Sequence, residues 1–330
     1  MVQTLPFQDI TVNVPGFGAM GFSQSYGPAK DEESLQTLAK AVELGCTFWD
    51  SAVVYGCGHN ESLIGKFFAE NPGSREKVFI ASKCGIEVDF EAKKTEMKVN
   101  NSAEHIKEYI QGSIQRLGSA PDLYYLHRIE RGRALEESIN ALNDLKKTGK
   151  CRYIGLSECS AATLRKACAI AHIDALQIEY SPWFTDHEQN GLIDAAKELG
   201  VTIVAFSPLG KGILTGAYKS ATDFKDGDYR KTIPRYNEEN FASNLRIVHE
   251  FQKLAEKKGC TSGQLALAWV IAQGAIPIPG TKSAGRLTEN FEAGHVDLND
   301  DELKEIRRLV EEAKPKGNRY NDAQMKAVGI

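Results

Sequence analysis

Residues 47–56 read TFWDSAVVYG, a short apolar run that ends on Asp50 and is followed five positions later by Tyr55. A carboxylate and a phenol thus stand together where an apolar strand would leave the core. A phenol with a pKa of about 10 is a poor proton donor near neutrality unless a cation sits beside it. Two later runs end on groups of that kind: VFIASK finishes on Lys83 and LYYLH on His127. If the three runs are neighbouring parallel strands, Asp50, Tyr55, Lys83 and His127 converge at their carboxyl ends.

The chain on both sides of this stretch supports that arrangement by alternating strand and helix. Upstream, residues 16–21 spell GFGAMG, which fits the dinucleotide pattern G-x-G-x-x-G. Pro15 before it and the turn-rich FSQSYGPAK after it deny the pattern its strand and helix, so it reads as a first strand and loop. Its glycines would let backbone approach a ligand, with Met20 on the wall. Helical spacing over residues 32–44 closes at Gly45. Downstream, strands are expected at residues 48–50, 78–83, 123–127, 153–157, 176–179, 202–206 and 276–278. Helices are expected at 59–69, 102–118, 134–147, 160–170, 188–199, 244–258, 262–273, 284–293 and 300–312, with a polar stretch over 85–101.

With the segment at Gly16, the strands number eight, nearly all followed by a helix and apolar on both faces, as buried parallel strands should be. The pattern predicts a (β/α)8 TIM barrel formed by residues 1–330 as one domain. It carries a short N-terminal lead, a long loop after the seventh strand and an additional C-terminal helix. A doubly wound open sheet is the competing architecture. The connection over residues 208–242 is long enough to be functional or mobile, and the polar tail from residue 314 is expected to fold over the same face or to be ordinary surface.

The 330 residues are 42% hydrophobic and 25% charged, with a formal net charge of -4 and a pI near 6.0. No basic field invites nucleic acid or an acidic membrane. The opening MVQTLPFQDITVNVP lacks the pattern of a secretory signal, and the longest apolar run, residues 265–272, is too short to span a bilayer. A cytoplasmic protein is expected. Seven cysteines, at 46, 57, 84, 151, 159, 168 and 260, contain no C-x-x-C pair, so neither a disulfide framework nor a metal site is indicated. Cys57 and Cys84 lie next to the chemical residues and are read either as reactive thiols or as ordinary reduced core residues.

Asp50, Tyr55, Lys83 and His127 are followed in order by IGLSECS (154–160), ALQIEYSP (175–182), AFSPLGKG (205–212) and PIPGTKSAGRLTEN (277–290). In that setting the chain resembles the aldo-keto reductases over almost its whole length, closest to their microbial and plant branch and near the potassium-channel β subunits. The resemblance implies NADPH-dependent reduction of aldehydes or ketones. Hydride reaching a carbonyl carbon leaves a developing alkoxide, which needs a proton donor and fixed hydrogen bonds. Tyr55 would be the acid, Lys83 would lower its pKa, Asp50 would hold the ammonium, and His127 would orient the carbonyl oxygen.

The same resemblance implies a nicotinamide dinucleotide, NADP(H), lying along the strand ends beside Met20 and Asp50. Ser157 and Gln177 would hydrogen-bond its carboxamide and Phe206 would lie against its ring. Ser207, Leu209 and Lys211 would meet the pyrophosphate. Gly280, Thr281, Lys282 and Arg286 would hold the ribose phosphate, and Glu289 and Asn290 the adenine. Two cations at that phosphate favour NADPH over NADH. Glu158 departs from the asparagine many relatives carry there and is given no role. The substrate expected at Tyr55 and His127 is a small carbonyl compound. Tyr26, Trp183, Phe184 and Tyr236 suit either an aromatic substrate pocket or the core. The competing class is a cofactor-sensing regulatory subunit like the channel β subunits. The presence of all four chemical residues, with no amino-terminal inactivation segment expected, favours the enzyme.

Overall fold

The computed structural model describes residues 2–312 and 314–330. Eight strands run parallel in strict sequence order: β1 (Phe17–Gly18), β2 (Phe48–Asp50), β3 (Phe79–Cys84), β4 (Leu123–Leu126), β5 (Tyr153–Ser157), β6 (Ala175–Glu179), β7 (Thr202–Phe206) and β8 (Ile276–Pro277). The first strand returns to the last. Gly16 N donates to Pro277 O at 2.9 Å, Gly18 N donates to Pro279 O at 3.2 Å, and Gly18 bridges Gly280. A doubly wound sheet would reverse its strand order at a switch point, so the nearly closed barrel is the architecture. The seam requires small residues: a Cβ on Gly18 would meet Ile278 O at 2.8 Å.

The residues of β2 to β6 are buried throughout, which accounts for runs that are apolar on both faces. Outside them lie α1 (Asp31–Leu44), α2 (His59–Glu70), α3 (Ala103–Leu117), α4 (Leu135–Lys147), α5 (Ala161–Ile170), α6 (Leu192–Glu198), α7 (Glu238–Lys258), α8 (Ser262–Ala272), α9 (Ala284–Glu292) and α10 (Asp300–Glu312). Local chemistry sets their ends. Ser102 accepts from His105 N at the start of α3, and Thr261 and Gln264 form a reciprocal cap on α8. Among the described residues no helix is long and apolar enough to cross a membrane.

Four expectations are revised. The lead contains a hairpin, Thr4–Phe7 with Ile10–Asn13, whose Phe7 enters the barrel floor 5.8 Å from Phe48, 5.0 Å from Phe79 and 5.1 Å from Tyr153 between ring centroids. The polar stretch at 85–101 contains a second hairpin, Ile86–Asp89 with Lys94–Val99. The helix expected over 188–199 is interrupted: a turn at Asp186–Gln189 ends before Gly191, which takes φ 80° ahead of α6. The helix expected from 244 begins at Glu238, capped by the Asn237 side chain, because its polar first turn carries no apolar periodicity.

The long connection after β7 is packed. Arg230 braces it, donating to Lys211 O at 3.0 Å, pairing with Asp228 and lying over the rings of Tyr218, Phe224 and Tyr26. It meets the tail, where Tyr229 donates to Gln324 Oε1 at 2.7 Å and Arg235 to Gly317 O at 3.0 Å. The tail adds a short helical turn, Asp322–Met325.

Candidate active site

Side chains alternate along a strand, so every second residue of a barrel strand faces the interior. Phe48, Ala81, Tyr125, Ala175, Val204 and Ile278 share the barrel-interior cluster. Two positions further along each segment come Asp50, Lys83, His127, Gln177, Phe206 and Gly280. The strand period therefore assembles residues distant in sequence into one layer at the carboxyl rim. Tyr55 joins them from the turn after β2, where its N–H donates to Ala52 O at 3.1 Å.

Lys83 is the hub of this layer. Its Nζ pairs with Asp50 Oδ1, donates to Ser51 O at 2.7 Å and lies 3.1 Å from the Tyr55 hydroxyl. Gln177 Nε2 holds the other Asp50 oxygen at 2.7 Å. His127 stands edge-on to Tyr55, with ring centroids 5.9 Å apart, and its buried Nδ1 has no partner among the described residues.

Burial and charge oppose each other here. Burial alone would pull Lys83 down, but Asp50 and Tyr55 outweigh it and its pKa ends above the ordinary value, so the group is an ammonium at neutral pH. Burial pushes the Tyr55 phenol up by more than Lys83 pulls it down, so the net shift is upward rather than the lowering expected. The phenol keeps its proton. Burial, reinforced by Lys83 and Arg128, holds His127 well below its usual range and keeps it neutral.

A cleft of about 940 Å³ opens from this layer. It is lined by Met20, Asp50, Tyr55, His127, Ser157, Gln177, Phe206, Ser207, Leu209, Lys211, Gly280, Thr281, Lys282, Arg286, Glu289 and Asn290, while Lys83 lies behind Asp50. All the expected cofactor positions thus line one cleft. Two of the expected cations are already engaged. Lys211 Nζ donates to Glu179 Oε1 at 2.5 Å, while Lys211 and the left-handed residues Ser207 and Gly212 line the cleft. Lys282 Nζ donates to the carbonyls of Tyr26 and Pro28 at 2.8 Å each. Burial and the neighbouring Arg286 guanidinium lower the Lys282 pKa. This ammonium and guanidinium repel each other and neither forms an ion pair among the described residues, which suits a dianionic phosphate.

Of the aromatic candidates, Tyr26 lines the cleft, whereas Trp183, Phe184 and Tyr236 belong to the core. Cys84 is buried, its thiol pushed up to about 12 by burial, and the reactive reading is withdrawn. Cys57 Sγ lies 3.8 Å from Thr95 Oγ1 at an exposed edge.

Sequence reasoning missed a second buried cluster across the rim. Glu158 and Glu179 both bind Arg319 of the tail, Glu179 also binds Lys211, and Glu158 Oε1 accepts from Glu179 N at 2.7 Å. The Arg319 guanidinium lies 4.4 Å over Phe184 and 5.0 Å over Tyr320. Gly329 N donates to Glu158 O at 2.8 Å, and Ser160 N to Ile330 O at 2.9 Å. These bonds fold the tail over the cleft, with Tyr320, Gln324 and Val328 on its wall. A charge at the exit of a buried strand was the available signal for Glu179, the same one that marked Asp50 and Lys83.

A model of the aldo/keto reductase family matches residues 16–311. An aldo-keto reductase of Gibberella moniliformis is 52% identical over the whole of both chains. Aldo-keto reductase yakc [NADP(+)] of Schizosaccharomyces pombe is 45% identical over 94% of this chain and 92% of its own, in keeping with the microbial branch expected. Among solved structures, a glycerol dehydrogenase from Gluconobacter oxydans superposes with a TM-score of 0.85 at 25% identity, over 96% of this chain and 97% of that one.

Proposed function

The chain belongs to the aldo/keto reductase family, and from that premise we propose that residues 1–330 form one catalytic domain that reduces aldehydes or ketones to alcohols with NADPH. NADP(+) in the name of the fission-yeast relative supports the cofactor. So does the pair of cations lining the cleft at Lys282 and Arg286, which would hold the ribose phosphate. Bound in this cleft, the nicotinamide would supply hydride. The chain's own residues would do the rest.

The observation that carries the reading is the 3.1 Å approach of the Lys83 ammonium to the Tyr55 hydroxyl, with the ammonium fixed by Asp50. Tyr55 would give its proton to the carbonyl oxygen, and Lys83 would stabilise the phenolate that remains. Asp50 and Gln177 would hold Lys83 at the required place. A neutral His127 would donate a hydrogen bond to the same oxygen from the other side.

Incubating the protein with NADPH and 4-nitrobenzaldehyde tests this, read as loss of NADPH absorbance. We expect turnover by the wild type and a fall of about 10²- to 10⁴-fold in kcat for Tyr55→Phe, the range for a lost general acid. Turnover unchanged in that variant would remove the acid role. No turnover by the wild type would favour a cofactor-sensing subunit.

A further inference from the structure

Arg128 directly follows His127 and lines the same cleft. Its Nη1 donates to His127 O at 2.7 Å and lies 3.4 Å from Ser157 Oγ, which fixes the guanidinium beside the catalytic layer. Nε and Nη2 make no hydrogen bond among the described residues, nor are they buried polar atoms without partners. Because Arg128 lines the cleft, these nitrogens are available to a ligand there.

The contrast with nearby arginines is informative. Arg230 is held by Asp228, and Arg319 is held by Glu158 and Glu179. Arg128 forms no ion pair among the described residues, and no carboxylate of the cleft meets it. Its charge reaches Tyr55, His127, Tyr229 and Tyr320, which line the same cleft, the last two on the long loop and the tail. A guanidinium anchored through one nitrogen, with two donor nitrogens left in a planar fork, matches a carboxylate.

We propose that Arg128 is a specificity-determining residue that selects carbonyl substrates bearing a carboxylate, with the aromatic wall at Tyr229 and Tyr320 suited to an aryl oxo-acid. This rests on the carbonyl-reductase reading and names the substrate class of that same site. The carbonyl lies against Tyr55 and His127 while the carboxylate extends toward Arg128.

The test compares 4-carboxybenzaldehyde with 4-nitrobenzaldehyde, a neutral compound of nearly the same shape, in the full chain with NADPH. The wild type should show the higher kcat/KM on the carboxylate. Arg128→Leu should lower the ratio of the two kcat/KM values about 10- to 100-fold, the scale of a charge-assisted hydrogen bond, and Arg128→Lys should recover part of it. Benzoate should inhibit the wild type competitively and lose that effect in Arg128→Leu. A wild type without preference, or a ratio unmoved by Arg128→Leu, overturns the inference and leaves the reductase reading standing. Failure of the wild type on both aldehydes overturns both.

Discussion

At the β2 to β4 side of the rim, one buried carboxylate, Asp50, shares one ammonium, Lys83, with a phenol. Across the rim, after β5 and at the end of β6, Glu158 and Glu179 are met by Arg319 and Lys211. Burial raises the carboxyl pKa in both places. At Asp50 it prevails over the pull of Lys83 and Gln177, and the pKa ends above the ordinary range. At Glu158, His187 and Arg319 prevail; at Glu179, Lys211 and Arg319 prevail; and both end below it. The second cluster has enough opposite charge to be satisfied without a ligand, and its work is to hold the tail. The first has the same one-to-one balance of charge, but its ammonium also directs a donor at one hydroxyl.

Removing a cation from each cluster should expose this difference. Lys83→Met leaves Asp50 buried without its counterion, so about 3–5 kcal/mol of stability should be lost. Turnover should fall with it, by about 10²- to 10⁴-fold. Near-normal turnover with a folded chain would contradict the role of Lys83; urea unfolding and the NADPH assay read both effects. Arg319→Ala should cost less, about 1–3 kcal/mol, because the tail can swing away and let water reach Glu158 and Glu179. Limited proteolysis would then cut within residues 314–330, and unaltered resistance there would refute the anchoring.

Acid should separate the two clusters more gently. A carboxyl whose pKa is lowered by folding stabilises the fold above its ordinary value of about 4.3, and loses that contribution only as pH falls further. One whose pKa is raised takes up its proton earlier in the descent. Activity that depends on the Asp50 charge should therefore decline while the tail is still docked. Proteolysis of the tail should be unchanged between about pH 7 and pH 5. Tail release preceding the loss of activity would reverse the order argued here.

How much of this could be read from the chain differs between the same two regions. Asp50, Lys83 and His127 were legible because each ends an apolar run, and period two carries a strand's last inward residue to the rim. The barrel was legible for the same reason, since eight such runs alternate with helical spacing. Glu158 and Arg319 were not, because their pairing spans 161 positions and Arg319 lies in a polar tail with no periodicity. The Phe7 hairpin escaped because four-residue strands with mixed exposure carry little pattern. Gly329 and Ile330 contribute through backbone atoms, which leave no mark in side-chain type.

The closure between Gly18 and Gly280 has a consequence for how this scaffold can change. Both glycines also border the cleft, so the weld that joins the first and last staves of the cylinder is part of the bed that the proposed cofactor would occupy. A side chain added at Gly18 would run into Ile278 O before it could reshape that bed. Selection for new substrates is thereby directed away from the weld, toward the long loop and the tail, which can vary without parting the staves.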